Sequence, residues 1–314
     1  MKVLVTGGAG FIGSHLVEAL VEKGHRVCVL DDLSSGRLRN LRSVRGDVEF
    51  RKGDCADPRA AARAAKGVEV VFHEAAIPSV ARSVLDPALS HRGNGTATLT
   101  MLVAARDAGV RRFVYAGSSS VYGDSPQLPK RESMAPWPLS PYAVGKLMSE
   151  HYLRVFANLY RLETLTLRYF NVFGPRQDAS SPYSGVISLF LTALLGGKTP
   201  VIYGDGEQSR DFTYVANVVA ANLKALEVKQ PHGEAVNVAT GRRITLNQLL
   251  VVLARATDRP PKAKHAKPRA GDVSHSLADI GLARQLLGYQ PSFDLEEGLR
   301  RTVDWYRRQM PRGR

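Results

Sequence analysis

The sequence predicts an α/β fold made of a doubly wound parallel sheet and a smaller C-terminal α/β lobe. Two observations lead to this prediction. Through the first half of the chain, short runs of β-branched and aromatic residues alternate with stretches of helical apolar spacing. The early helical stretches also end close to glycines, as helices commonly do. Strands that alternate with helices form parallel sheets, because each crossover helix returns the chain to the edge where the previous strand began.

The predicted elements follow one another in regular order. The early strands are expected at residues 2–6, 26–30, 48–52, 69–73 and 111–116. The helices between them are expected at residues 11–23, 58–66 and 95–108. A long helix from residue 142 to about 160 comes next, then a strand at 164–169. Ligands of such sheets bind at the C-terminal ends of the strands, so functional residues are expected there.

The second half of the chain is expected to divide between the two lobes. A helix at 213–226 and a strand at 235–239 have the pattern of elements that return to the first sheet. The sequence therefore predicts a first domain at residues 1–170, with residues 211–240 returning to it. Residues 171–210 and 241–314 are predicted to form the smaller lobe, whose Gly-, Pro-, Ser- and Asp-rich stretches are typical of loops that cover a ligand.

Composition indicates an ordinary globular protein and makes several functional classes improbable. No run of the 314 residues has the apolar length of a membrane span, and the N-terminal stretch lacks the layout of a signal peptide. Only two cysteines occur, Cys28 and Cys55, so neither a disulfide framework nor a thiolate metal site is predicted. No metal site is expected, and a reducing cytoplasm is the expected compartment.

The net charge of +14 is the one unusual feature of the composition. A basic surface attracts anions such as nucleic acid, anionic lipid or a diphosphate-containing substrate. The basic clusters at residues 37–45, 262–269 and 300–314 do not alternate with aromatic residues as a single-strand binding surface does. They are interpreted as solvated surface, and neither a nucleic-acid nor a membrane partner is expected.

A glycine-rich loop from Thr6 to Gly13 follows the first strand and opens the first helix. Glycines there permit a tight turn and a close approach to a pyrophosphate, which then lies at the helix N-terminus. The second strand ends in Asp31 and Asp32, and a carboxylate at that point binds ribose hydroxyls and repels a 2′-phosphate. The pattern predicts a Rossmann-type domain that binds NAD rather than NADP. A tight turn beside a surface acid is the alternative.

Further cofactor contacts are expected at the ends of the third and fourth strands. Asp54 follows the third strand and is expected near the adenine, while small residues follow the fourth strand where the dinucleotide passes. The predicted cofactor contacts are Gly7, Gly10, Phe11, Ile12, Gly13, Asp31, Asp32, Asp54, Cys55, Ala75 and Ala76, together with Tyr142 and Lys146.

Tyr142 and Lys146 form the predicted chemical centre. Residues four apart on a helix lie on the same face, so the ammonium is expected beside the phenol. A tyrosine titrates near ~10, and the nearby Lys together with the nicotinamide charge is expected to lower the pKa of Tyr142, so that it can accept a proton near neutrality. A packed ring beside a surface lysine is the alternative reading of this spacing. The glycine loop upstream favours the catalytic one.

Three serines follow the fifth predicted strand. Ser118, Ser119 and Ser120 lie at the edge where ligands of a parallel sheet bind, and their hydroxyls are able to hydrogen-bond a reacting oxygen. A polar turn is the alternative interpretation.

With these motifs, the chain resembles the extended short-chain dehydrogenase/reductase family, and within it the nucleotide-sugar 4-epimerases, over essentially its whole length. The resemblance implies that Ser118, Tyr142 and Lys146 form the catalytic triad. It implies that the sugar C4 hydroxyl is oxidised to a ketone, that the ketone turns over in the site, and that hydride returns to its other face. NAD is then regenerated and stays bound. Family members are commonly homodimers, and the helices at 95–108 and 143–160 are the expected interface.

Neighbouring positions distinguish this chain from other enzymes of similar fold. The sugar 4,6-dehydratases carry an Asp-Glu pair after the triad Ser or Thr, and the glucuronate decarboxylases carry a Glu. This chain has Ser119 and Ser120 there, so the acid or base of those eliminations is missing. Asn171 matches a substrate-contacting Asn that tends to be Thr in glucuronate 4-epimerases, which favours a neutral hexose.

The resemblance also supplies the predicted substrate contacts. Arg210, in the segment from Gly204 to Phe212, matches the pyrophosphate-binding turn. Ser276 stands where epimerases restricted to UDP-glucose and UDP-galactose have a bulky Tyr, so space for a 2-acetamido group is expected. UDP-N-acetylglucosamine and UDP-N-acetylgalactosamine are therefore the predicted substrates. The full set is Ser79, Ser118, Ser119, Ser120, Tyr142, Asn171, Val186, Tyr203, Arg210, Arg269, Asp272 and Ser276.

Three departures from the family pattern and three rival functions stay open at this point. Arg92 stands where an Asn is usual ahead of the Gly-Thr of the fourth helix, Glu74 replaces an apolar residue or Gln, and Gly117 replaces a Ser. The rivals are an epimerase restricted to UDP-glucose and UDP-galactose, another NAD-linked nucleotide-sugar oxidoreductase, and a non-catalytic dinucleotide or nucleic-acid binder. The intact triad argues against the last of these.

Overall fold

The computed structural model describes residues 1–178, 185–268 and 273–309. Its strands are β1 Lys2–Thr6, β2 Arg26–Asp31, β3 Val48–Lys52, β4 Val70–His73, β5 Arg112–Ser118, β6 Glu163–Tyr169, β7 Val172–Phe173, β8 Val201–Tyr203, β9 Ser209–Arg210, β10 Thr213–Tyr214, β11 His232–Val238, β12 Ile244–Thr245 and β13 Lys264–Ala266. Its α-helices are α1 Phe11–Glu22, α2 Pro58–Ala65, α3 Val80–Leu85, α4 Pro87–His91, α5 Ala97–Asp107, α6 Pro141–Tyr160, α7 Val186–Leu195, α8 Val215–Ala225, α9 Leu246–Ala256, α10 Gly281–Leu287 and α11 Leu295–Gln309.

The main sheet has seven parallel strands in the order β11-β6-β5-β4-β1-β2-β3. The predicted doubly wound α/β fold is confirmed. Strand order reverses between β1 and β4, so their C-terminal ends border the crevice where ligands of such sheets bind. The central strands β1, β4 and β5 are buried on both faces, as expected for runs rich in Val, Leu and Phe.

Helices cover both faces of this sheet. On one face, α1 and α8 pack on the strands through residues such as Leu16 and Val218. On the other face, α2, α5 and α6 pack through residues such as Met101 and Leu153. A separate apolar cluster joins α7, α9 and α11, with Leu191, among others, in its interior. Two-stranded sheets pair β10 with β7, β12 with β9 and β13 with β8.

Local capping determines where α6 begins and therefore how Tyr142 is presented. Ser140 is the N-cap, and its hydroxyl accepts a hydrogen bond from the backbone N–H of Ala143. Pro141 occupies the first helical position, where its missing N–H costs nothing. The helix ends at Arg161, which adopts the left-handed conformation. Tyr142 lies in the first turn, directly at the edge of the crevice.

Most predicted boundaries lie within one to three residues of the observed ones, and two helices start later than expected. The helix predicted at 95–108 begins at Ala97, because a π-helical turn at Arg92–Thr96 precedes it. The helix predicted at 213–226 begins at Val215, because Thr213–Tyr214 pairs in parallel with Val172–Phe173. The strand predicted at 235–239 is β11, which pairs with β6. The division of the chain into two lobes stays a prediction.

Across the three described stretches, none of the helices is both long enough and apolar enough to cross a membrane.

Candidate active site

A cleft of about 1590 Å³ opens at the C-terminal ends of the sheet strands and extends toward β9 and the segment that holds Ser276. Its size is sufficient for a dinucleotide and a second ligand. It gathers most of the predicted site residues. Those that line it are Gly7, Gly10, Phe11, Ile12, Gly13, Asp31, Asp32, Asp54, Cys55, Ala75, Ala76, Ser79, Ser118, Ser119, Ser120, Tyr142, Asn171, Arg210 and Ser276.

The other predicted residues lie elsewhere. Lys146 lies behind Tyr142, buried in the protein. Val186, the first residue of α7, and Tyr203, at the end of β8, are not among the residues lining the cleft. The substrate contact proposed for each stays a prediction. Arg269 and Asp272 lie outside the described residues.

The glycine loop forms a cradle between β1 and the end of β4. Gly7 has a φ of +67°, and a Cβ built on it would lie 2.7 Å from the backbone nitrogen of Ala75. A side chain at Gly7 would therefore force the two segments apart. Helix α1 begins at Phe11 directly after the loop, so its free N–H groups are directed toward the cleft. This arrangement fits a pyrophosphate.

Asp31 and Asp32, predicted to act together, have different environments. Asp31 is 6% exposed, and its two carboxylate oxygens accept from the backbone N–H groups of Ala9 at 2.9 Å and Leu33 at 2.8 Å. Burial raises the pKa of Asp31, while these two donors lower it. Asp32 is exposed and caps the turn at Ser34. Asp31 is thus the rigidly held carboxylate at the position expected for a ribose contact.

The adenine end of the cleft contains an ion pair that the sequence did not indicate. One Asp54 oxygen accepts from the backbone N–H of Ala56 at 2.7 Å, and the other pairs with the guanidinium of Arg92. Cys55 is buried, and burial raises the pKa of its thiol. Arg92, noted as a departure, thus lies over the predicted adenine contact.

The buried asparagine of the π-helical turn is Asn94, two residues after Arg92. Its side chain accepts from the backbone N–H of Ile77 at 3.2 Å and donates to the carbonyl of Ser90 at 2.8 Å. Asn94 is 1% exposed, so it holds the chain after β4 against α4 from the inside. This role of Asn94 was not predicted, although the Asn stands directly before Gly95 and Thr96.

Tyr142 and Lys146 lie on one face of α6, as their spacing predicted. The Nζ atom of Lys146 is 5.8 Å from the centre of the Tyr142 ring and 4.9 Å from that of Tyr115. It donates to the carbonyl oxygen of Ala116 at 2.9 Å. Lys146 is only 3% exposed, so the alternative of a surface lysine is excluded. The cation therefore lies beneath the phenol, at the end of β5 that carries Ser118.

The prediction that Lys146 lowers the pKa of Tyr142 is wrong, because the surrounding protein raises that pKa. Burial raises the pKa of Tyr142, and a hydrogen bond with Ser118 is the influence that lowers it. Burial also lowers the pKa of Lys146 to about 8, against the attraction of Glu74 and Glu150. The desolvation of both groups outweighs the expected effect of the ammonium on the phenol.

Ser118, Ser119 and Ser120 form the turn that follows β5 and faces the cleft. The Ser118 hydroxyl accepts from the backbone N–H of Ser120 at 3.2 Å, which orients it. The buried Ser120 hydroxyl has no hydrogen-bond partner among residues 1–178, 185–268 and 273–309. A buried donor without a partner is costly, so its position favours a ligand in the cleft.

Asn171 and Ser276 meet on the far side of the cleft. The Asn171 amide donates to the carbonyl of Asp211 at 3.1 Å and approaches the Ser276 hydroxyl at 3.4 Å. The Asp211 carboxylate accepts from the backbone of Thr240, Gly241 and Ala278, which ties three segments together. Ser276 is 8% exposed. Asn171 and Ser276, the two residues predicted to determine which sugar binds, are therefore adjacent and held by hydrogen bonds.

Arg210 and Ser79 line the same cleft from opposite sides. Arg210 on β9 donates to the carbonyls of Ser209 at 3.0 Å and Ser274 at 3.2 Å. Its guanidinium is thus held against the segment that carries Ser276. Ser79 is the N-cap of α3, where its hydroxyl accepts from the backbone N–H of Arg82 at 3.1 Å. A structural role therefore accounts for Ser79 as well as the predicted contact does.

Glu74 and Lys130 line the cleft and were not predicted as site residues. Glu74 accepts from the hydroxyl of Tyr169 at 2.8 Å, and burial raises its pKa to about 7. Lys130 is 2% exposed and donates to the carbonyl of Ser125. An acid placed directly after a central strand was the available sequence signal for Glu74. No local pattern marked Lys130, because its burial depends on segments distant in sequence.

Comparison with known proteins gives a consistent result. Residues 3–239 match the model of the NAD dependent epimerase/dehydratase family. The chain is 43% identical over 311 residues to a UDP-glucose 4-epimerase of Mycolicibacterium smegmatis, and the alignment covers 98% of this chain and 99% of the relative.

Solved structures agree over the same length. A UDP-N-acetylglucosamine 4-epimerase from Methanobrevibacter ruminantium M1, in complex with UDP-N-acetylmuramic acid, superposes with a TM-score of 0.94 at 41% identity, covering 98% of this chain and 99% of that one. The Thermus thermophilus UDP-glucose 4-epimerase complex with NAD superposes with a TM-score of 0.91 at 37% identity, covering 99% and 100%.

Proposed function

The chain belongs to the NAD dependent epimerase/dehydratase family, and on that premise we propose that it interconverts C4 epimers of a UDP-linked sugar, with NAD as its cofactor. One observation carries the proposal. Ser118 and Tyr142 open into the cleft that also contains the glycine loop, and the buried ammonium of Lys146 lies directly behind them.

The residues along the first part of the cleft fit NAD. Gly7 lets the loop pack directly against the backbone of Ala75, and the start of α1 supplies N–H donors for a pyrophosphate. Asp31 offers a carboxylate for the ribose hydroxyls and disfavours a 2′-phosphate. When bound, NAD supplies the hydride acceptor and donor at C4.

Tyr142 is proposed as the acid/base residue. Its phenolate takes the proton of the sugar C4 hydroxyl when the ketone forms, and the resulting phenol returns that proton when the opposite epimer is made. Lys146 contributes a positive charge beneath the ring, and the single O–H of Ser118 donates to the Tyr142 oxygen and favours its ionised form. These three side chains hold and move protons at O4, and they leave no net redox change.

Ser119 and Ser120 favour epimerisation over elimination. A dehydratase or decarboxylase reaction needs an acid or base at this turn, and serine hydroxyls supply neither near neutral pH. The unpartnered Ser120 hydroxyl is suited to hydrogen-bond a sugar hydroxyl instead.

The sugar is proposed to be N-acetylglucosamine and its C4 epimer. Ser276 is small and adjacent to Asn171, so this wall of the cleft leaves volume that a Tyr would fill. The neighbour from Methanobrevibacter ruminantium, a UDP-N-acetylglucosamine 4-epimerase, supports this choice. UDP-glucose and UDP-galactose form the second candidate pair, supported by the Mycolicibacterium smegmatis relative.

A homodimer is proposed to form through α6. An apolar groove on this helix is lined by Val144, Leu147, Met148, His151, Tyr152 and Val155. Val144 is 52% exposed, Val155 45% and Leu159 69%, an unusual concentration of large apolar side chains on one surface. Both cysteines are free and buried, which supports a reducing cytoplasm as the compartment.

The dimer is tested by introducing a charged side chain on the exposed apolar surface of α6. Val155→Glu should reduce the mass measured by light scattering by half, whereas Val251→Glu, at a 47% exposed valine of α9, should leave it unchanged. A monomeric wild-type protein would refute the dimer without affecting the catalytic proposal.

The catalytic proposal is tested by incubating the purified protein with UDP-N-acetylglucosamine and, separately, with UDP-glucose, without added cofactor. Proton NMR should show the C4 epimer of the acetamido sugar, and Tyr142→Phe should abolish it. Conversion of UDP-glucose alone would refute the choice of sugar. Conversion of neither, in the presence of added NAD, would refute the proposed function.

A further inference from the structure

Glu74 lies at the junction of the cofactor cradle and the catalytic residues. Its backbone N–H donates to the carbonyl of Thr6 at 3.2 Å, so it prolongs the pairing of β4 with β1 just beyond the glycine loop. The β4–β5 register, with His73 opposite Tyr115, brings Glu74 alongside Ala116. Ala116 is the residue whose carbonyl holds the ammonium of Lys146.

The carboxyl of Glu74 is oriented by a short chain of hydrogen bonds. One oxygen accepts from the hydroxyl of Tyr169 at 2.8 Å, and that hydroxyl accepts from the amide of Asn222 at 2.7 Å. Tyr169 lies directly opposite Ser118 in the β5–β6 register. No further donor to the Glu74 carboxyl is found in the described part of the chain, and the side chain lines the cleft.

The carboxylate of Glu74 lies near the ammonium of Lys146 and borders the part of the cleft where the nicotinamide ring is expected. Glu74 and Lys146 attract each other, and no direct ion pair joins these two residues. The hydride and the proton of one C–OH group leave together in this chemistry. The nicotinamide ring must therefore lie beside Tyr142 and Ser118, in the part of the cleft that Glu74 borders. The oxidised ring is cationic and the reduced ring is neutral, so a nearby carboxylate stabilises the oxidised form selectively.

We propose that Glu74 sets the redox poise of the bound cofactor by stabilising NAD⁺ over NADH at the nicotinamide end of the cleft. This inference rests on the proposed NAD-dependent function. Glu74 acts only through the negative charge of its carboxylate, since it neither receives the substrate proton nor transfers hydride. This role accounts for the acid at position 74, where the family resemblance leads one to expect an apolar side chain or Gln.

The experiment measures how the full-length protein partitions the two cofactor forms. Wild type and variants are dialysed to equilibrium against NAD⁺ and NADH mixtures at pH 8.5, above the pKa of about 7, so that Glu74 is ionised. The bound ratio is then read by chromatography. Glu74→Gln keeps the shape of the side chain and removes the charge. We expect the preference for NAD⁺ to fall about tenfold, the effect of one charge within ~12 Å at an effective dielectric constant of about 20. Tenfold corresponds to about 30 mV for a two-electron couple.

Asp54→Asn is the matched control, since it removes a carboxylate at the adenine end, which both cofactor forms share. It should lower total occupancy and leave the bound ratio unchanged. An unchanged ratio in Glu74→Gln, or equal changes in both variants, would overturn the inference. If Glu74→Gln does not fold, Glu74→Met replaces it, because it removes the same charge with an apolar side chain of similar length. Its ratio should also fall about tenfold, and an unchanged ratio overturns the inference. A wild-type protein that binds neither form would instead refute the NAD-dependent function itself.

Discussion

The ammonium of Lys146 donates to the backbone carbonyl of Ala116 at 2.9 Å, two residues before Ser118 on the same strand. A main-chain acceptor on β5 thus fixes the cation relative to the strand that carries Ser118. Because the strand is buried and fully paired, this geometry has little freedom to relax when a side chain changes.

Replacement of Lys146 by Met is expected to reduce kcat for epimerisation by about 10²–10⁴, the range that one acid/base component contributes. The reason is the loss of the only cation within 5.8 Å of the Tyr142 ring among the described residues. The variant should remain folded, because Met fills the space without leaving an unpaired charge. Lys198→Met, at an exposed lysine, is the control. A Lys146→Met enzyme that keeps more than about a tenth of wild-type kcat would contradict the role given to Lys146.

A buried ion pair beneath the site makes a prediction about stability. Arg168 donates to both oxygens of Glu150, with its shortest contact at 2.7 Å, and also to the hydroxyl of Tyr122 at 2.7 Å. Arg168 and Glu150 are 6% and 8% exposed. Arg168→Met should lower the free energy of unfolding by about 3–5 kcal/mol, because it leaves a buried carboxylate without its partner.

The matched variant removes both charges. Arg168→Met combined with Glu150→Gln should be more stable than Arg168→Met alone, since no uncompensated charge remains. Urea unfolding followed by circular dichroism measures both. Equal stability of the single and double variants would show that the pair contributes no coupling.

Substrate choice should depend on the side chain at position 276. Ser276→Tyr is expected to reduce kcat/KM for UDP-N-acetylglucosamine by at least about tenfold while leaving UDP-glucose within about threefold, since a bulky ring occupies the acetamido volume. Ser276→Ala, which keeps the side chain small, should retain both substrates. Equal losses for the two sugars in Ser276→Tyr would locate the specificity elsewhere in the cleft.

The pH dependence of stability should include a contribution from His73. This residue is fully buried between the hydroxyls of Thr6 at 2.7 Å and Thr98 at 3.1 Å, and burial lowers its pKa to about 3. In the unfolded chain its pKa is 6.5, so the unfolded state binds the extra proton between pH 6.5 and 3. Stability is therefore lost as the pH falls below 6.5, by up to about 1.4 kcal/mol for each pH unit.

His73→Gln removes this titration and should flatten the acid side of the stability curve, while His232→Gln, at an exposed histidine, should not. Thermal unfolding between about pH 4 and 7 measures the difference. Parallel curves for wild type and His73→Gln would contradict the assignment.

Local spacing was sufficient to predict most of the fold and the central features of the site. Apolar periodicity located the strands and helices, since the sequence pattern of each element spans only about five to twenty residues. The glycine loop with Asp31, and the pair Tyr142 and Lys146, were predicted for the same reason. Each depends on a turn or on one helix, and the physics that places its members acts over a few residues.

Long-range packing decided the rest. The contact of Glu74 with Tyr169, the ion pair of Arg92 with Asp54 and the burial of Lys130 each join residues far apart in sequence. Val186 and Tyr203 are not among the residues that line the cleft, and local spacing could not indicate this. The sequence by itself determined the strands and helices and the residues proposed for the chemistry, because both depend on short-range spacing. Only the tertiary structure, through strand order and register, decided which groups contact these residues and how their pKa values shift. Desolvation and ion pairing arise when distant segments are brought together.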